Sequence, residues 1–450
     1  MSKRLNYFFL LIPALTLTMV MPLPAQEAIE RKDSQESMTL EAAIRRAWTE
    51  QSGLQAGEAM VDRAKAEADA MQDLNLPTVT LSAGLMRTDQ PMMAFGMKLN
   101  QARITQMDFN PASLNKPDAI TGVGGGLTLS QPLYTGGRLT AARKASGAMA
   151  DAEAATQTHR RQQVALAVVQ AYFGAQVAEQ GQVYAEDTLR QAREVEHFVQ
   201  ARVEQGLMLQ AEGLRIRAYR AQGEAGVVEA RQRVASARSG LALLTGMEVA
   251  PVTLITSLKA ESNPSLSDIS GTRGDVQAAK FQWQAAQQGV RAAQGSQLPE
   301  VGLNLGLGTL RNTWNSGGNW SEVSLGFKWN IFSAPDRRRV SSAKATARAA
   351  SYNLRWQEQV AGREVAEARR AMESASARIQ MAQEAVEASE SVRALRQARH
   401  REGLLPLTEV LDAEAGLSGA RTLLLNSEYE LRISRAQLSL ALGQPIEGVQ

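Results

Sequence analysis

Cysteine is absent from this chain of 450 residues, and aromatic residues make up only 5% of it. Without cysteine the protein has no disulfide, no thiol chemistry and no cysteine that could carry a lipid. The formal net charge of +3 is small for this length, and acidic and basic residues are interspersed, so no nucleic-acid partner is indicated. The low aromatic content predicts a thin core and therefore an extended molecule.

Long apolar runs are also missing beyond the N-terminus, where residues 1–25 have the pattern of a secretory signal peptide. Lys3 and Arg4 precede an apolar stretch at 7–21, and a plausible cleavage region ends at Ala25. The stretch of about 15 residues is shorter than the roughly 20 that a spanning helix needs. An N-terminal membrane anchor is the less favoured alternative.

The chain presents the same order of elements twice: helix, strand, strand, very long helix, turn, helix. Both copies contain a Gly-Leu turn and a closing glycine, and corresponding positions are offset by about 197 residues. These positions are Gly206, Leu207 and Gly246 in the first copy and Gly403, Leu404 and Gly443 in the second. We therefore divide the chain into a signal peptide at 1–25, a first repeat at 38–246, a linker or equatorial segment at 247–272, a second repeat at 273–443 and a tail at 444–450.

Each copy contains two strands with strict alternation, which we predict at about 78–86, 122–134, 299–310 and 321–332. One face of every strand is apolar and the other is small or polar, over about ten residues, as in a tilted outer-membrane strand. A soluble half-buried sheet has the same alternation. Aromatic residues at or near the strand ends are candidates for a membrane-interface girdle: Trp314, Trp320, Trp329, Phe332 and Tyr134.

Four strands are too few to close a barrel, and lipid does not tolerate open strand edges. Two, three or four copies of the chain would supply about 8, 12 or 16 strands, and the sequence arithmetic does not choose among them. The segment at 87–120, which contains Pro91, Pro111 and Pro117, is predicted to be a long loop.

Long helices follow each strand pair. We predict them at 137–205 and 207–245 and again at 336–402 and 406–442, with a shorter helix from Thr39 to about Leu74 before the first strand. A proline-free run of about 68 residues corresponds to roughly 100 Å of helix, which is too long for a compact domain. A small residue recurs every seven positions at Val164, Ala171, Ala178, Ala185, Ala192, Val199 and Gly206, and again at Ala361, Ala368, Ala375, Ala382 and Ser389. This period predicts close helix pairing, which is also typical of soluble coiled coils.

Candidate catalytic residues are scarce. Of the three histidines, His159 and His197 lie about 57 Å apart on one predicted helix, and we interpret all three, including His400, as solvated helix residues. The sequence has no phosphate-binding loop, zinc-ligand spacing or nucleophile elbow. We therefore predict no enzymatic activity, no catalytic residue, no metal site and no cofactor.

The polar positions after the second Gly-Leu turn are more informative. Glu409 and Asp412, with Glu414 close by, fall three residues apart and share one helix face. Around a symmetry axis they would form carboxylate rings, which confer cation selectivity or close a pore electrostatically. Without a pore, a solvated helix N-terminus that favours acidic residues is the preferred explanation.

Taken in order, these motifs resemble the TolC family of outer-membrane efflux and secretion channels over about residues 38–445. The resemblance rests on Gln-Pro-Leu-Tyr-Thr-Gly-Gly-Arg at 131–138, Gln-Leu-Pro at 297–299, the paired Gly-Leu turns, Leu-Asp-Ala at 411–413 and the closing Leu-x-Gly segments. It implies a mixed α/β membrane protein: a trimeric outer-membrane β-barrel with four strands per protomer, continued across the periplasm by a long α-helical coiled-coil barrel.

The resemblance also implies how such a protein would work. It would be a passive outer-membrane exit channel of a tripartite efflux or type I secretion system, opened by a periplasmic adaptor (membrane fusion protein) and energised by an inner-membrane pump of the RND or ABC type. Gly206, Leu207, Gly403 and Leu404 match the adaptor-docking tip. Glu409 and Asp412 match the periplasmic aperture.

The chain departs from the family pattern at three places. Ala334 and Pro335 stand where the first copy has two glycines, Glu409 replaces the usual aspartate, and His400 occupies the place of an aromatic gating contact. The alternative from another class is a soluble periplasmic coiled-coil adaptor or scaffold without a channel. Such a protein would not need four strands with uninterrupted apolar faces.

Overall fold

The computed structural model describes residues 37–247, 252–259, 273–313 and 316–446. The predicted signal peptide at 1–25, Trp314, and parts of the predicted linker and tail lie outside these residues. The α-helices are α1 (Leu40–Glu50), α2 (Ser52–Asp73), α3 (Pro91–Asn100), α4 (Pro111–Asn115), α5 (Arg138–Glu204), α6 (Gln210–Thr245), α7 (Gly274–Gly295), α8 (Ala334–Arg401) and α9 (Leu407–Ala441). The strands are β1 (Ser37–Met38), β2 (Thr78–Thr88), β3 (Ile120–Thr135), β4 (Thr253–Leu254), β5 (Glu300–Thr313) and β6 (Ser316–Lys328).

Two long helical hairpins form most of the molecule. Helix α5 has 67 residues and α8 has 68, so each is about 100 Å long at 1.5 Å per residue. Helix α6 folds back along the distal part of α5, and α9 folds back along α8. The seven-residue pattern of small residues lies partly in these contacts, since Ala192, Ala368, Ala375 and Ala382 are buried. Small side chains there let the helix axes approach closely.

The largest apolar core lies near the middle of the long helices, where α1, α5, α6 and α9 meet. Ile44, Val168, Val169, Tyr172 and Phe173 are fully buried in it. Strands β1 and β4 form a short parallel pair beside this core. The Tyr172 hydroxyl donates to the Met38 carbonyl oxygen at 2.7 Å and accepts from the Thr256 N–H at 3.0 Å, so one buried side chain joins β1 and the residues just after β4 to α5.

A four-stranded antiparallel sheet lies at one end of the helices, in the order β2-β3-β5-β6. Residues that are paired across neighbouring strands lie on the same face of the sheet, so the pairing assigns each residue to one of two faces. One surface, the apolar face, contains Val79, Leu81, Leu85, Leu127, Leu129, Leu305, Leu307, Val323, Leu325 and Phe327. The other, the glycine-rich face, contains Gly124, Gly126, Thr128, Ser130, Asn304, Gly306, Gly308, Glu322 and Ser324. The apolar face is open in the single chain, with Leu81 80% and Val323 76% exposed.

The prediction of a long loop at 87–120 was wrong, because most of this segment forms short helices. Two of its three prolines start helices instead of breaking them: Pro91 and Pro111 stand in the first turns of α3 and α4. Asn110 caps α4 by accepting a hydrogen bond from the Ala112 N–H at 3.0 Å. Between the two helices, Gln106–Phe109 forms a 3-10 helix that begins with a Thr105–Asp108 capping box.

Three other predicted boundaries also differ from the structure. The single helix predicted from Thr39 to Leu74 is two helices, because Gln51 is extended and α1 turns into the central core while α2 follows α5. The strand predicted to reach 332 ends at Lys328, which pairs with Glu300, the first residue of β5, so no partner strand remains. Helix α6 was predicted to start at 207 but starts at Gln210, because residues 207–209 belong to the tip turn.

Trp320 does not lie on the apolar face, as an interfacial girdle would require. It pairs with Gly308 on the glycine-rich face, and its indole ring lies across Gly126, Gly306 and Gly308. A Cβ at Gly306 would stand 2.8 Å from the ring, so these glycines provide the space in which it lies flat. The ring therefore forms part of the sheet's inner lining in any closed barrel.

The chain exposes far more surface than a compact protein of its size. Its accessible surface is 29830 Å², whereas about 17,000 Å² is expected for a compact monomer of 48.7 kDa. Among the described residues, none of the helices combines the length and the apolar character needed to cross a membrane. Within the described residues, the long hairpins and the open apolar face of the sheet contribute to this excess.

Candidate functional site at the helical tip

Both tip turns end their helices in the same way. Gly206 and Gly403 adopt φ of 74° and 79°, a left-handed conformation that favours glycine. The N–H of Leu207 donates to the Arg202 carbonyl oxygen at 2.8 Å, and that of Leu404 donates to the Arg399 carbonyl oxygen at 2.9 Å. These are Schellman motifs. In each turn the leucine after the glycine is left 66% or 69% exposed at the end of the molecule.

A small apolar core holds the tip helices together. Val199 of α5, Ile216 of α6 and Leu407 of α9 are buried in it. Val195, Phe198, Val203, Met208, Tyr219 and Leu411 pack around them. Because three helices from two hairpins contribute, movement of one hairpin at the tip has to break this core.

His400 is buried, only 4% exposed, so its interpretation as a solvated residue was wrong. Its Nδ1 lies 2.8 Å from the Leu405 carbonyl oxygen, which only accepts, so Nδ1 carries the proton and donates. The imidazole also meets the Phe198 ring edge-on, with 5.9 Å between the ring centres. His400 thereby connects its own turn to α5 of the other hairpin. Of the other two histidines, His159 is partly buried and His197 is exposed.

The two hairpins meet at further polar contacts next to this ring pair. The Arg202 guanidinium stacks over Phe198 at 4.8 Å and donates to the Arg401 carbonyl oxygen at 3.4 Å. Gln397 of α8 donates to the Gln191 side chain of α5 at 3.4 Å. Such contacts are individually weak, so the contact between the hairpin ends is one that a binding partner could break.

Glu409 and Asp412 lie at the start of α9, on the tip side of the hairpin. Glu409 forms an ion pair with Arg396 of α8 at 2.9 Å, and the same guanidinium donates to the Glu409 carbonyl oxygen at 3.1 Å. Asp412 is exposed. Arg396 therefore offsets the charge of Glu409, and Asp412 is the stronger candidate for presenting negative charge to solvent or to a pore.

Glu414, which the sequence groups with these two acids, points elsewhere. Its side chain is buried between the hairpin helices, where it accepts from Gln397 at 2.7 Å and lies 3.8 Å from Arg393. Burial raises the pKa of the Glu414 carboxyl, although the positive charge of Arg393 and the hydrogen bond from Gln397 act in the opposite direction. Glu414 therefore contributes to the hairpin interior and not to an exposed acidic ring.

Within the parts of the chain that the structure describes, no group of three or more acidic or histidine side chains is arranged to hold a metal ion. The tip instead combines exposed leucines, a breakable contact between hairpins and an exposed carboxylate. The sheet at the opposite end has an open apolar face, so exposed apolar surface lies at both ends of the molecule.

A family model for outer membrane efflux proteins matches residues 43–247 and 266–444, and the chain belongs to this family. The match confirms the resemblance to the TolC family of outer-membrane factors. The family consists of passive channels and not of enzymes, in agreement with the prediction from the sequence.

Relatives of this chain include the cation efflux system protein CusC of Escherichia coli strain K12. It is 27% identical over 293 residues, which are 61% of this chain and 63% of that protein. A second CusC sequence, from Escherichia coli O157:H7, is 26% identical over 61% of this chain and 62% of its own length. The alignments thus span less than two thirds of these relatives.

Solved structures share the fold over more of the chain. A CusC crystal structure superposes with a TM-score of 0.78 and 20% identity, covering 95% of this chain and 98% of that one. The outer membrane protein VceC of Vibrio cholerae gives a TM-score of 0.78 at 20% identity, with 91% and 97% covered. The CmeC outer membrane channel of Campylobacter jejuni gives 0.79 at 18% identity, with 90% and 85% covered. These matches show that the chain shares the fold of these proteins. Membership of the outer membrane efflux protein family does not fit the alternative of a soluble adaptor.

Proposed function

We propose that the protein is the outer-membrane exit channel of a tripartite efflux or type I secretion system, working as a homotrimer. Three copies of the four-stranded sheet would close a 12-stranded barrel in the outer membrane, and the helical hairpins would continue it as a 12-helix tunnel across the periplasm. The channel is passive, and transport is energised by an inner-membrane pump of the RND or ABC type.

The observation that carries this proposal is the sheet. Its outermost strands β2 and β6 have no neighbour on one side within the described chain, and its apolar face is exposed. Lipid covers such a face favourably, but it does not satisfy the backbone groups of open strand edges. Pairing β6 of one copy with β2 of the next satisfies those edges and leaves the apolar face outside. The two helical hairpins of each copy would then line the tunnel.

The tip is the proposed docking site for a periplasmic adaptor. Leu207 and Leu404 are exposed on turns fixed by Gly206 and Gly403, which gives each copy two similar apolar knobs. Exposed apolar groups at the end of a rigid element are suited to helix-in-groove contacts with a partner hairpin. Inside the ring of tips, Glu409 and Asp412 would form the periplasmic aperture.

Charged substitution at the knobs tests this assignment. Leu207→Asp together with Leu404→Asp should abolish efflux in cells while leaving trimer assembly and the conductance of the purified channel unchanged. Leu243→Asp is the matched control, since Leu243 is similarly exposed but lies at the other end of α6. Normal efflux in the double variant would contradict docking at the tip, whereas loss of the trimer in the double variant alone would show that the knobs act in assembly.

A further inference from the structure

The segment at 89–119, here called the exit segment, joins β2 to β3 and contains α3, the 3-10 helix and α4. It lies at the end of the sheet away from the helical hairpins, because α2 leads into the start of β2 and the end of β3 leads into α5. In the proposed channel, on which this inference rests, that end is the outer mouth of the barrel.

The exit segment packs on the glycine-rich face of the sheet and not on the apolar face. Ala94 and Met97 of α3 are buried against Ile120 and Leu310, which stand on that face at the ends of β3 and β5. A Cβ at Gly122 would stand 2.7 Å from the Met97 sulfur, and one at Gly318 would clash with the Asn100 carbonyl oxygen. Gly122 lies on β3 and Gly318 lies on β6, so glycines of these two strands leave the space that α3 occupies.

A buried amide anchors α3 to two strands at once. Gln101 is almost fully buried, and its Nε2 donates to the Thr121 carbonyl oxygen at 3.0 Å and to the Arg311 carbonyl oxygen at 3.4 Å. Its Oε1 accepts from Arg103 at 3.2 Å. A side chain that is hydrogen-bonded to β3 and β5 in this way fixes the end of α3 relative to the wall.

The rest of the exit segment is folded onto α3. Lys98 forms an ion pair with Asp108 at 2.8 Å, and Asp108 also accepts from the Thr105 N–H at 2.8 Å. The hydrogen bond from Lys98, followed by those from Thr105, lowers the pKa of Asp108 to about 2. Phe95 and Phe109 meet edge-on at 5.9 Å. At neutral pH these contacts therefore hold the exit segment in a defined conformation.

The side of α3 that faces away from the wall is apolar. Met92 and Leu99 are seven residues apart, on the side opposite Ala94, Met97 and Gln101, and Met92 is 81% exposed. In a ring of three copies this side would point toward the axis. Apolar side chains at a constriction disfavour water there, and such constrictions impede hydrated solutes.

We propose that the exit segment narrows the outer mouth of the channel, and that Met92 and Leu99 line this second constriction. This constriction is formed by the exit segment of each copy, and it is separate from the periplasmic aperture. It limits which solutes can leave and hinders large polar solutes from entering from outside. Small solutes pass, whereas large hydrophilic solutes reach the barrel interior slowly.

The lack of native cysteine makes the constriction directly measurable. Ser324→Cys places one thiol on the glycine-rich face. Ser324 pairs with Asn304, and Asn304 lies six residues before Leu310 on β5, so the thiol is about 20 Å along the strands from the level of Leu310 near the mouth. Intact cells are treated with a small charged thiol reagent and with a large maleimide-polymer. We expect the small reagent to label quickly and the polymer to label slowly.

Loss of the contacts that hold α3 on the sheet should remove the dependence of the labelling rate on reagent size. With Gly318→Ala and Gln101→Ala together, the rate of polymer labelling should rise roughly tenfold or more while that of the small reagent stays the same. Gly84→Ala is the matched control, because Gly84 lies on the same face and a Cβ at this position would have nothing within 4 Å. A variant with a short Gly-Ser linker in place of 91–117 gives the same test if the substitutions fail to move α3.

Two further thiol positions distinguish the possible failures. Lys116→Cys, exposed on the exit segment, should react with both reagents, and Val323→Cys, on the apolar face, with neither. If the channel is trimeric and the polymer labels Ser324→Cys equally fast with and without the exit segment, the constriction is refuted and the channel stands. If Val323→Cys reacts as readily as Ser324→Cys, or no trimer forms, the proposed function itself is refuted.

Discussion

The imidazole of His400 stands edge-on to the ring of Phe198, with ring centres 5.9 Å apart and planes inclined by 65°. This contact joins α8 to α5 and so links the two hairpins close to both tip turns. Nδ1 of His400 is already engaged with the Leu405 carbonyl oxygen, which fixes the orientation of the ring. Opening of the tip by outward movement of either hairpin would have to separate this pair.

We expect His400→Ala and Phe198→Ala each to increase the open probability of the reconstituted channel. An edge-on aromatic pair is worth about 0.5–1.5 kcal/mol beyond its buried area, so the closed state should lose that much. Single-channel recordings give the measurement. His197→Ala is the control, since His197 is exposed beside Phe198 on the same helix. Closed-state lifetimes equal to those of the unaltered protein in both variants would exclude the pair from gating.

The carboxylates at the start of α9 should differ in their effect on ion selectivity. Asp412→Asn should roughly halve the cation preference, because Asp412 is exposed to solvent whereas the charge of Glu409 is offset by Arg396. Arg396→Ala should increase the cation preference, because it removes the partner of Glu409. Reversal potentials in asymmetric salt measure both, and shifts of the same sign in the two variants would contradict the assignment.

Removal of the Tyr172 hydroxyl should loosen the short strands at the middle of the helices. Tyr172→Phe leaves the buried Met38 carbonyl oxygen and the Thr256 N–H without this partner, at a cost of about 1–3 kcal/mol. We expect faster proteolysis at 252–259, followed by mass spectrometry. Tyr429→Phe is the control, because its hydroxyl makes only a 3.5 Å contact with the Gln170 carbonyl oxygen. Equal cleavage rates in the two variants would show that Tyr172 does not hold the segment.

Glu414 gives a pH dependence of known sign. Its pKa is raised above 4.5 in the folded protein, chiefly by burial, so the folded state binds the proton more tightly than the unfolded state. The contribution of Glu414 to stability is therefore favourable at low pH and is lost as the pH rises from 4.5 through the folded pKa. Glu414→Gln removes this loss, so its melting temperature relative to the unaltered protein should rise over that pH interval. Glu402→Gln is the matched charge-removing variant at an exposed position, and a melting-temperature trend in Glu414→Gln no larger than in this variant would contradict the role of Glu414.

The sequence was most informative where its pattern is long and periodic. Alternation over about ten residues located the four strands of the sheet, and the Gly-Leu pairs located the tip turns, because left-handed φ values there favour glycine. The exit segment was missed because Pro91, Asn110 and Pro111 serve equally as turn residues and as helix starts. Burial of His400 was missed because it depends on Phe198, about 200 residues away on another hairpin, and no local pattern contains that contact.

The orientation of Trp320, in contrast, could have been predicted from the sequence. Its position near a strand end suggested a girdle, but its pairing with Gly308 assigns it to the opposite face. Counting along the alternation from Val323 would have placed Trp320 correctly, because positions three apart on a strand point to opposite faces. The signal was thus present in the sequence.

The proposed membrane-embedded trimer is tested most directly by the mass of the purified protein. Light scattering corrected for bound detergent should give three copies of the 48.7 kDa chain less the predicted signal peptide, and the protein should precipitate when detergent is withdrawn. The open apolar face of the sheet is the reason for the detergent requirement. A monomer or dimer that stays soluble without detergent would contradict the account.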